Sequence, residues 1–396
     1  MNINIAVIFG GKSVEHEVSI ISGIQAIANI DKEKFTIIPV YLTKNNEMYI
    51  GNKIDDIDSY KDIDSLLKES KRVIFVNYEG KTHLEEYPSK RFGKTDKHII
   101  DLVFPIVHGT NVEDGALQGY LKTFSLPFVG CDVTSSAVCM DKYLAKLVVD
   151  TVGVPVLKCC RFTFDDYSDI EKMVADIEKS FEYPVIIKPV NLGSSVGISV
   201  SHNRDELIDS IDDAFSYSFQ VIVEPAITNL REINCSVVGD MYEAQASVCE
   251  EPFKSDDILS YDDKYLGNAK GASKGMASVS RIIPANISDE LAKTIQEYAL
   301  AAFKALNCSG VVRIDFMIDE DSERVYFNEI NTIPGSLAFY LWEYSGISYK
   351  ELLTKLIEIA FKRARSESKI TFSFETNILN SSSFGGAKGA KGSKGI

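Results

Sequence analysis

Oxygen-bearing side chains recur at two-residue spacing near the carboxyl end of the chain. Arg313-Ile-Asp315 is followed by Asn328-Glu329-Ile-Asn331 and then Thr-Ile-Pro-Gly335. Side chains alternate along a strand, so Arg313 and Asp315 share one face, as do Glu329 and Asn331. A hairpin pairing the two segments brings Asp315, Glu329 and Asn331 together as oxygen ligands. That set suits magnesium, which takes one or two carboxylates plus substrate phosphates. Phe327 and Ile330 are expected to face the core on the other side. A solvated hairpin face explains the carboxylates less well, because Pro334-Gly335 also punctuates the strand end.

A second run, Lys188-Pro-Val-Asn-Leu-Gly193-Ser194-Ser195-Val-Gly197, carries a lysine at a strand end before a Gly/Ser loop. Backbone amides of such a loop can cradle phosphate, with the lysine supplying charge. From spacing alone, an ordinary hairpin turn fits equally well. Lys142, in Met140-Asp-Lys-Tyr-Leu-Ala-Lys146, reads better as a solvated helix position. Glu224 ends one hydrophobic strand and Glu232 opens the next; each could accept from a nucleotide or be a surface carboxylate. Gly11-Lys12-Ser13 ends like a phosphate-binding P-loop, but Ala6 occupies the earlier glycine position, and Gly10-Gly11 lacks dinucleotide-site spacing.

These residues need elements to position them. The apolar, β-branched run 3–9 enters Gly10-Gly11 as a buried strand, followed by a helix from Ser19 to Ala28 and a strand at Phe35–Leu42. A short strand at Val73–Val76 and a buried one over 101–108 complete a doubly wound α/β layer. Its loops Gly10-Gly11 and His108-Gly109 lie at strand carboxyl ends, where ligands bind. One helix is predicted from Ser135 to about Val152, then strands at Val185–Lys188, Gly197–Val200 and Val221–Glu224 with a helix near 204–215. Antiparallel signals follow at Glu232–Val238 and Tyr242–Val248. A Gly/Ser/Lys-rich loop at 266–281 precedes a helix near 288–306, the hairpin, and a helix at about 348–365.

The 396 residues suffice for two or three packed units. A net charge of −15 argues against a general binder of nucleic acid or anionic membrane. No run reaches membrane-span length, and no basic leader opens the chain. Seven cysteines without a CxxC pair suit reduced thiols in a cytosol.

Several separate motifs, in order, resemble the D-alanine–D-alanine ligases over about residues 3–362. They are the run from Ile8 to Ser19 containing Glu15, His108-Gly-x-x-x-Glu-Asp-Gly-x-Leu-Gln-Gly, Met140-Asp-Lys142, the Lys188–Gly197 loop, Asp263-Lys264-Tyr265, Arg313-Ile-Asp315 and Glu329-Ile-Asn331-Thr-Ile-Pro-Gly335. The resemblance implies an α/β ATP-grasp fold with three lobes. These are a Rossmann-like N-terminal lobe at 1–130, a central lobe at 131–224 and a C-terminal lobe at 225–365, with an extension at 366–396. It implies ATP, with Lys142 and Lys188 holding the phosphates, Glu224 and Glu232 holding adenine and ribose, and Lys264 also among the cofactor-binding residues. Asp315, Glu329 and Asn331 would bind two magnesium ions, with manganese as an alternative. Glu15 would pair with the first substrate's ammonium and His108 would lie near its carboxylate. Ser194 and Tyr265 would complete a hydrogen-bonded trio with Glu15. Arg313 and the Gly335 amide would form an oxyanion hole.

The implied reaction is ATP-dependent formation of a D-amino-acid dipeptide for peptidoglycan through an acyl phosphate. The implied partners are small amino acids and ATP, in the cytoplasm; a homodimer is left open. Rivals are a relative using D-serine, a hydroxy acid or another amino acid, and a nucleotide-binding regulator without ligation. Two departures stand out. The family's Pro-Gly-x-Thr-x-x-Ser is here Pro334-Gly-Ser-Leu-Ala-Phe-Tyr340, so Tyr340 replaces the serine, and Leu341 follows where the amide holds the second substrate's carboxylate. Pro225 follows Glu224 where a lysine is common. In the extension, Lys388, Lys391 and Lys394 echo the basic, glycine-rich stretch 269–275. A solubilising tail is the plainer reading; contact with the phosphate end of the cleft is the sharper one.

Overall fold

The computed structural model describes residues 3–90, 95–252 and 281–373. Lys264, Tyr265, most of the loop at 266–281 and the tail lysines lie outside the described residues.

The first sheet holds β1 (Ile3–Gly10), β2 (Phe35–Leu42), β3 (Met48–Ile50), β4 (Lys71–Tyr78), β5 (Lys81–Glu86), β6 (Lys97–Ile99) and β7 (Leu102–Val107), in the order β6-β5-β4-β3-β2-β1-β7. Only β2, β1 and β7 run parallel; the strands from β3 outward are antiparallel. The doubly wound layer expected from sequence is therefore a three-strand parallel part at one side of the sheet, continued by antiparallel strands on the other. β1 and β7 are apolar almost throughout because helices and loops cover both faces. Being neighbours, they deliver Gly11 and His108 to one edge.

The second sheet contains β8 (Cys160–Thr163), β9 (Val185–Pro189), β10 (Ser199–Ser201) and β11 (Gln220–Pro225), in the order β10-β9-β11-β8. The third contains β12 (Leu230–Gly239), β13 (Ala244–Pro252), β14 (Arg281–Ile282), β15 (Gly310–Asp319) and β16 (Arg324–Asn331), in the order β14-β13-β12-β15-β16. Each sheet has its own buried apolar cluster.

Those clusters do not follow the chain-ordered lobe bounds. The single helix predicted from Ser135 is two, Val133–Met140 and Lys142–Asp150. Asp141 breaks it: its carboxylate accepts from Leu144 N at 3.0 Å, capping the second helix. Cys139, Ala145 and Val149 then pack with Phe327 and Ile330 of the third sheet rather than with the second. The last helix, Tyr349–Glu367, sends Leu352, Leu353, Leu356 and Ile357 into the core of the first sheet. Apolar stripes on helices seek whichever sheet face lies beside them, so contiguity in sequence does not bound the lobes.

Among the described residues no helix is long and apolar enough to cross a membrane. All seven cysteines are free thiols.

Candidate active site

The β15–β16 hairpin pairs as the spacing required, with Arg313 opposite Asn331 and Asp315 opposite Glu329. One detail was not legible: the register slips between Asp315 and Phe316, leaving Asn328 unpaired opposite them. Phe327 and Glu329 would otherwise share a face. The bulge turns Phe327 inward, fully buried, while Glu329 stays on the cavity side. It also frees Asn328, whose Oδ1 accepts from Lys188 Nζ at 3.0 Å.

Arg313 forks onto Asp315, with Nε on Oδ1 and Nη2 on Oδ2, each at 2.7 Å. Burial works against the guanidinium charge, and the paired carboxylate overcomes it, holding Arg313 protonated. Burial likewise pushes Asp315 up, opposed by Arg313. Asn331 Nδ2 donates to Asp315 at 3.2 Å. Among the described residues no three His, Cys, Asp or Glu side chains cluster as a protein-only metal cage. Two carboxylates and an amide on one hairpin face instead suit an ion that takes its other oxygens from a substrate.

Lys142 is a correction to the sequence reading. It is buried rather than solvated: it opens the second helix, where its backbone N–H has no partner within the helix and donates to Val190 O at 2.8 Å. Its ammonium lies 3.0 Å from Glu329 Oε2 and donates to Leu192 O at 2.6 Å. Lys142, at the start of a helix, and Lys188, on β9, thus both reach the metal-type face.

Glu224 is a second correction. It is fully buried and does not line the cavity. Lys188 Nζ lies 2.9 Å from Oε2, and Lys146 contacts Oε1. The attraction of the two ammonium groups holds the buried carboxylate. Burial pushes the Glu224 carboxyl up, but Lys188 and Lys146 outweigh it and hold it down at about 2. Burial rules out a surface carboxylate, and the side chain holds Lys188 in place. Glu232 does line the cavity, half-buried at the start of β12. Leu341 does not; its side chain is fully buried beside Ala338 and Tyr340.

The opposite wall comes from the first sheet. Glu15, buried just before helix His16–Asn29, accepts a short hydrogen bond from Ser194 Oγ of the β9–β10 loop. A side chain at Gly109 would put Cβ 2.9 Å from Glu15 Oε2, and one at Gly193 would put it 3.1 Å away, so two glycines let two loops close on this carboxylate. His108 lies deep in the lining with Nδ1 2.7 Å from Ile333 O and Nε2 2.9 Å from Ser22 Oγ. A carbonyl can only accept, so Nδ1 carries the proton and Nε2 accepts from Ser22. Burial pushes His108 below the usual histidine range, in keeping with that neutral tautomer.

Four participants escaped sequence reading. Glu113 is buried and accepts from Gly109 N, Thr332 Oγ1 and Ile333 N at 3.0, 3.2 and 2.8 Å. It lies within the His108 motif, which was the available signal. Lys146 sits four residues after Lys142, a visible helical spacing. Glu250 and Arg281 meet only through the pairing of β13 with β14, and no local pattern marks them. Tyr340 lines the cavity and donates its hydroxyl to Glu250 at 3.2 Å; burial pushes its phenol up to about 12. Gly335 lines the same cavity as Arg313.

The model of the D-ala D-ala ligase N-terminus matches residues 4–131, and that of the D-ala D-ala ligase C-terminus matches 148–358. A D-alanine–D-alanine ligase of Thermosipho melanesiensis is 37% identical over 378 residues, covering 95% of this chain and 98% of that one. The VanG D-Ala:D-Ser ligase from Enterococcus faecalis superposes with a TM-score of 0.75 at 35% identity, over 91% of this chain and all of that one. The D-alanine–D-alanine ligase from Bacillus anthracis, solved in complex with ATP, superposes with a TM-score of 0.63 at 25% identity, over 92% of this chain and 99% of that one. By both domain models and by near full-length identity, the chain belongs to the D-alanine–D-alanine ligase family, with the ATP-grasp fold.

Proposed function

We propose that this chain is an ATP-dependent ligase that joins two D-alanines, by way of an acyl phosphate, into the dipeptide used for peptidoglycan. One observation carries the reading. Lys142, Lys188, Arg313, Asp315, Glu329 and Asn331, drawn from separate stretches, line one cavity together with Glu15, Ser194 and His108.

The carboxylate of the first alanine is a poor electrophile until phosphorylated. Lys142 and Lys188 offset phosphate charge at that end, and Glu224 keeps Lys188 aimed there. Asp315, Glu329 and Asn331 would hold magnesium, as two ions, or manganese, which would supply positive charge to neutralise the phosphates. Glu15 pairs with the ammonium of the first alanine, while neutral His108 faces its carboxylate. The amine of the second alanine then attacks, and Arg313 with the Gly335 amide stabilises the tetrahedral oxyanion. Tyr265 would join the Glu15–Ser194 pair and Lys264 the cofactor; both lie outside the described residues.

The three lobes remain a working division at 1–130, 131–224 and 225–365, with the packing exchanges described above. We place the protein in the cytoplasm, where ATP and reduced thiols occur together, acting on small molecules. Phosphate release measured across D- and L-amino acids and hydroxy acids tests the reading: D-alanine alone should drive turnover. ATP binding with no amino-acid-dependent phosphate release would defeat it in favour of a regulator. The likeness to a D-Ala:D-Ser ligase, with Tyr340 in place of the family serine, favours D-serine as the second acceptor to try.

A further inference from the structure

Just past β16 the chain takes a conformation that L-residues seldom adopt. Ser336, Leu337 and Ala338 have φ of 50°, 55° and 49°, the longest left-handed run without glycine among the described residues. The Cβ of each disfavours this region, and such a run persists only where its surroundings over-determine it. Gly335, whose amide is the proposed oxyanion donor, immediately precedes the run and lines the cavity.

The surroundings are a closed path of hydrogen bonds from the first sheet and the helix beside it. Ser336 N donates to Ser22 Oγ at 3.0 Å. Ser22 gives its own proton to His108 Nε2, and His108 Nδ1 donates to Ile333 O. The path leaves the segment at Ser336 and returns at Ile333, so it brackets Pro334 and Gly335. Ser22 thereby acts once as donor and once as acceptor, within the capacity of a hydroxyl. Glu113 adds a second hold, accepting from Thr332 Oγ1 and Ile333 N. One turn before Ser22 on helix His16–Asn29, Ser19 Oγ accepts from His108 N at 2.9 Å. A single helix face therefore fixes both the backbone and the ring of His108. Ser22, His108 and Ser336 are buried, so a bond lost here is not readily replaced by water. Ser22 itself does not line the cavity and can act only through what it holds.

We propose that Ser22 is a positioning residue: through the Ser336 amide and the His108 ring it holds the left-handed turn that presents the Gly335 amide to the tetrahedral oxyanion. This rests on the ligase reading above. An oxyanion donor is effective because it is already in place when charge develops. Ser22→Ala removes both bonds and leaves the Ser336 N–H without its acceptor, which frees the turn to relax. A shift of about 1 Å at such a donor costs about a hundredfold in rate.

The test uses the full-length enzyme with ATP, magnesium and D-alanine. Ser22→Ala should lower kcat by about tenfold to a hundredfold. The KM for ATP and for each alanine should stay within about threefold, because the hold matters where the oxyanion forms. Hydrogen exchange over the peptide spanning 332–338, read by mass spectrometry, should quicken by about tenfold, as expected for one lost buried bond. A folded Ser22→Ala enzyme with wild-type kcat overturns the proposal, whatever its exchange. A rise in the KM for ATP that matches the fall in kcat also overturns it, since that marks a general loss of structure. Should melting show that Ser22→Ala does not fold, Ser22→Cys, close in size but weaker in both bonds, carries the test. Its kcat should fall severalfold, and wild-type kcat refutes the assignment. Absence of any dipeptide from wild type would instead refute the underlying ligase reading, and exchange would still report whether Ser22 holds the turn.

Discussion

Replacing Glu224 by glutamine should cost the protein stability first and nucleotide affinity only second. The carboxylate has no exposed surface and sits between Lys188, at 2.9 Å, and Lys146, whose side chain is 2% exposed. Burial raises its pKa, yet the two lysines bring it to about 2, against the ordinary 4.5. That difference corresponds to roughly 3 kcal/mol of stabilisation at neutral pH. A depressed carboxyl contributes fully above pH 4.5 and loses its contribution as pH falls through about 2. Glutamine keeps the shape but strands two buried cations, and breaking a buried pair in this way costs about 3–5 kcal/mol. At pH 7.5 the melting temperature should fall by on the order of 10 °C. Adding Lys146→Met should restore part of the loss by removing one uncompensated charge. A Glu224→Gln protein that melts with wild type but shows a raised KM for ATP would refute this reasoning. It would return the residue to the nucleotide.

The other expectations concern the metal face and a buried carboxyl. Glu329→Gln should abolish magnesium-dependent turnover while leaving the far-ultraviolet circular dichroism unchanged, and normal activity in that variant would rule out its role as a ligand. Burial pushes Glu113 up to about 7, so its proton is held in the folded protein after it is lost from the unfolded chain. Its contribution is complete below about pH 4.5 and is lost as pH rises through about 7, worth about 3 kcal/mol across that window. Glu113→Gln, neutral throughout, should flatten this part of the stability difference between pH 5 and pH 8, measured by thermal melting; an unaltered pH dependence would contradict it.

Much of the site was readable from residue order because its chemistry sits on regular elements. Strand alternation alone put Arg313 with Asp315 and Glu329 with Asn331, and β-branched runs located β1, β2, β7, β9 and β11. The resemblance to known ligases depended on motifs at strand ends and loops, which keep their order along the chain whatever the packing. Other features needed the tertiary structure, since they are set by groups distant in sequence. The bulge at Asn328 is a two-strand register effect. Lys142 is buried because its helix start docks on Val190, Leu192 and Glu329, all distant in sequence, and Glu224 is locked because two lysines converge on it in the interior. The Arg281–Glu250–Tyr340 cluster joins three segments, two of them adjacent only through a short strand pair. Local pattern reports which face of an element a side chain occupies; which partner meets it there, and so its charge, burial and role, is decided when separate elements pack.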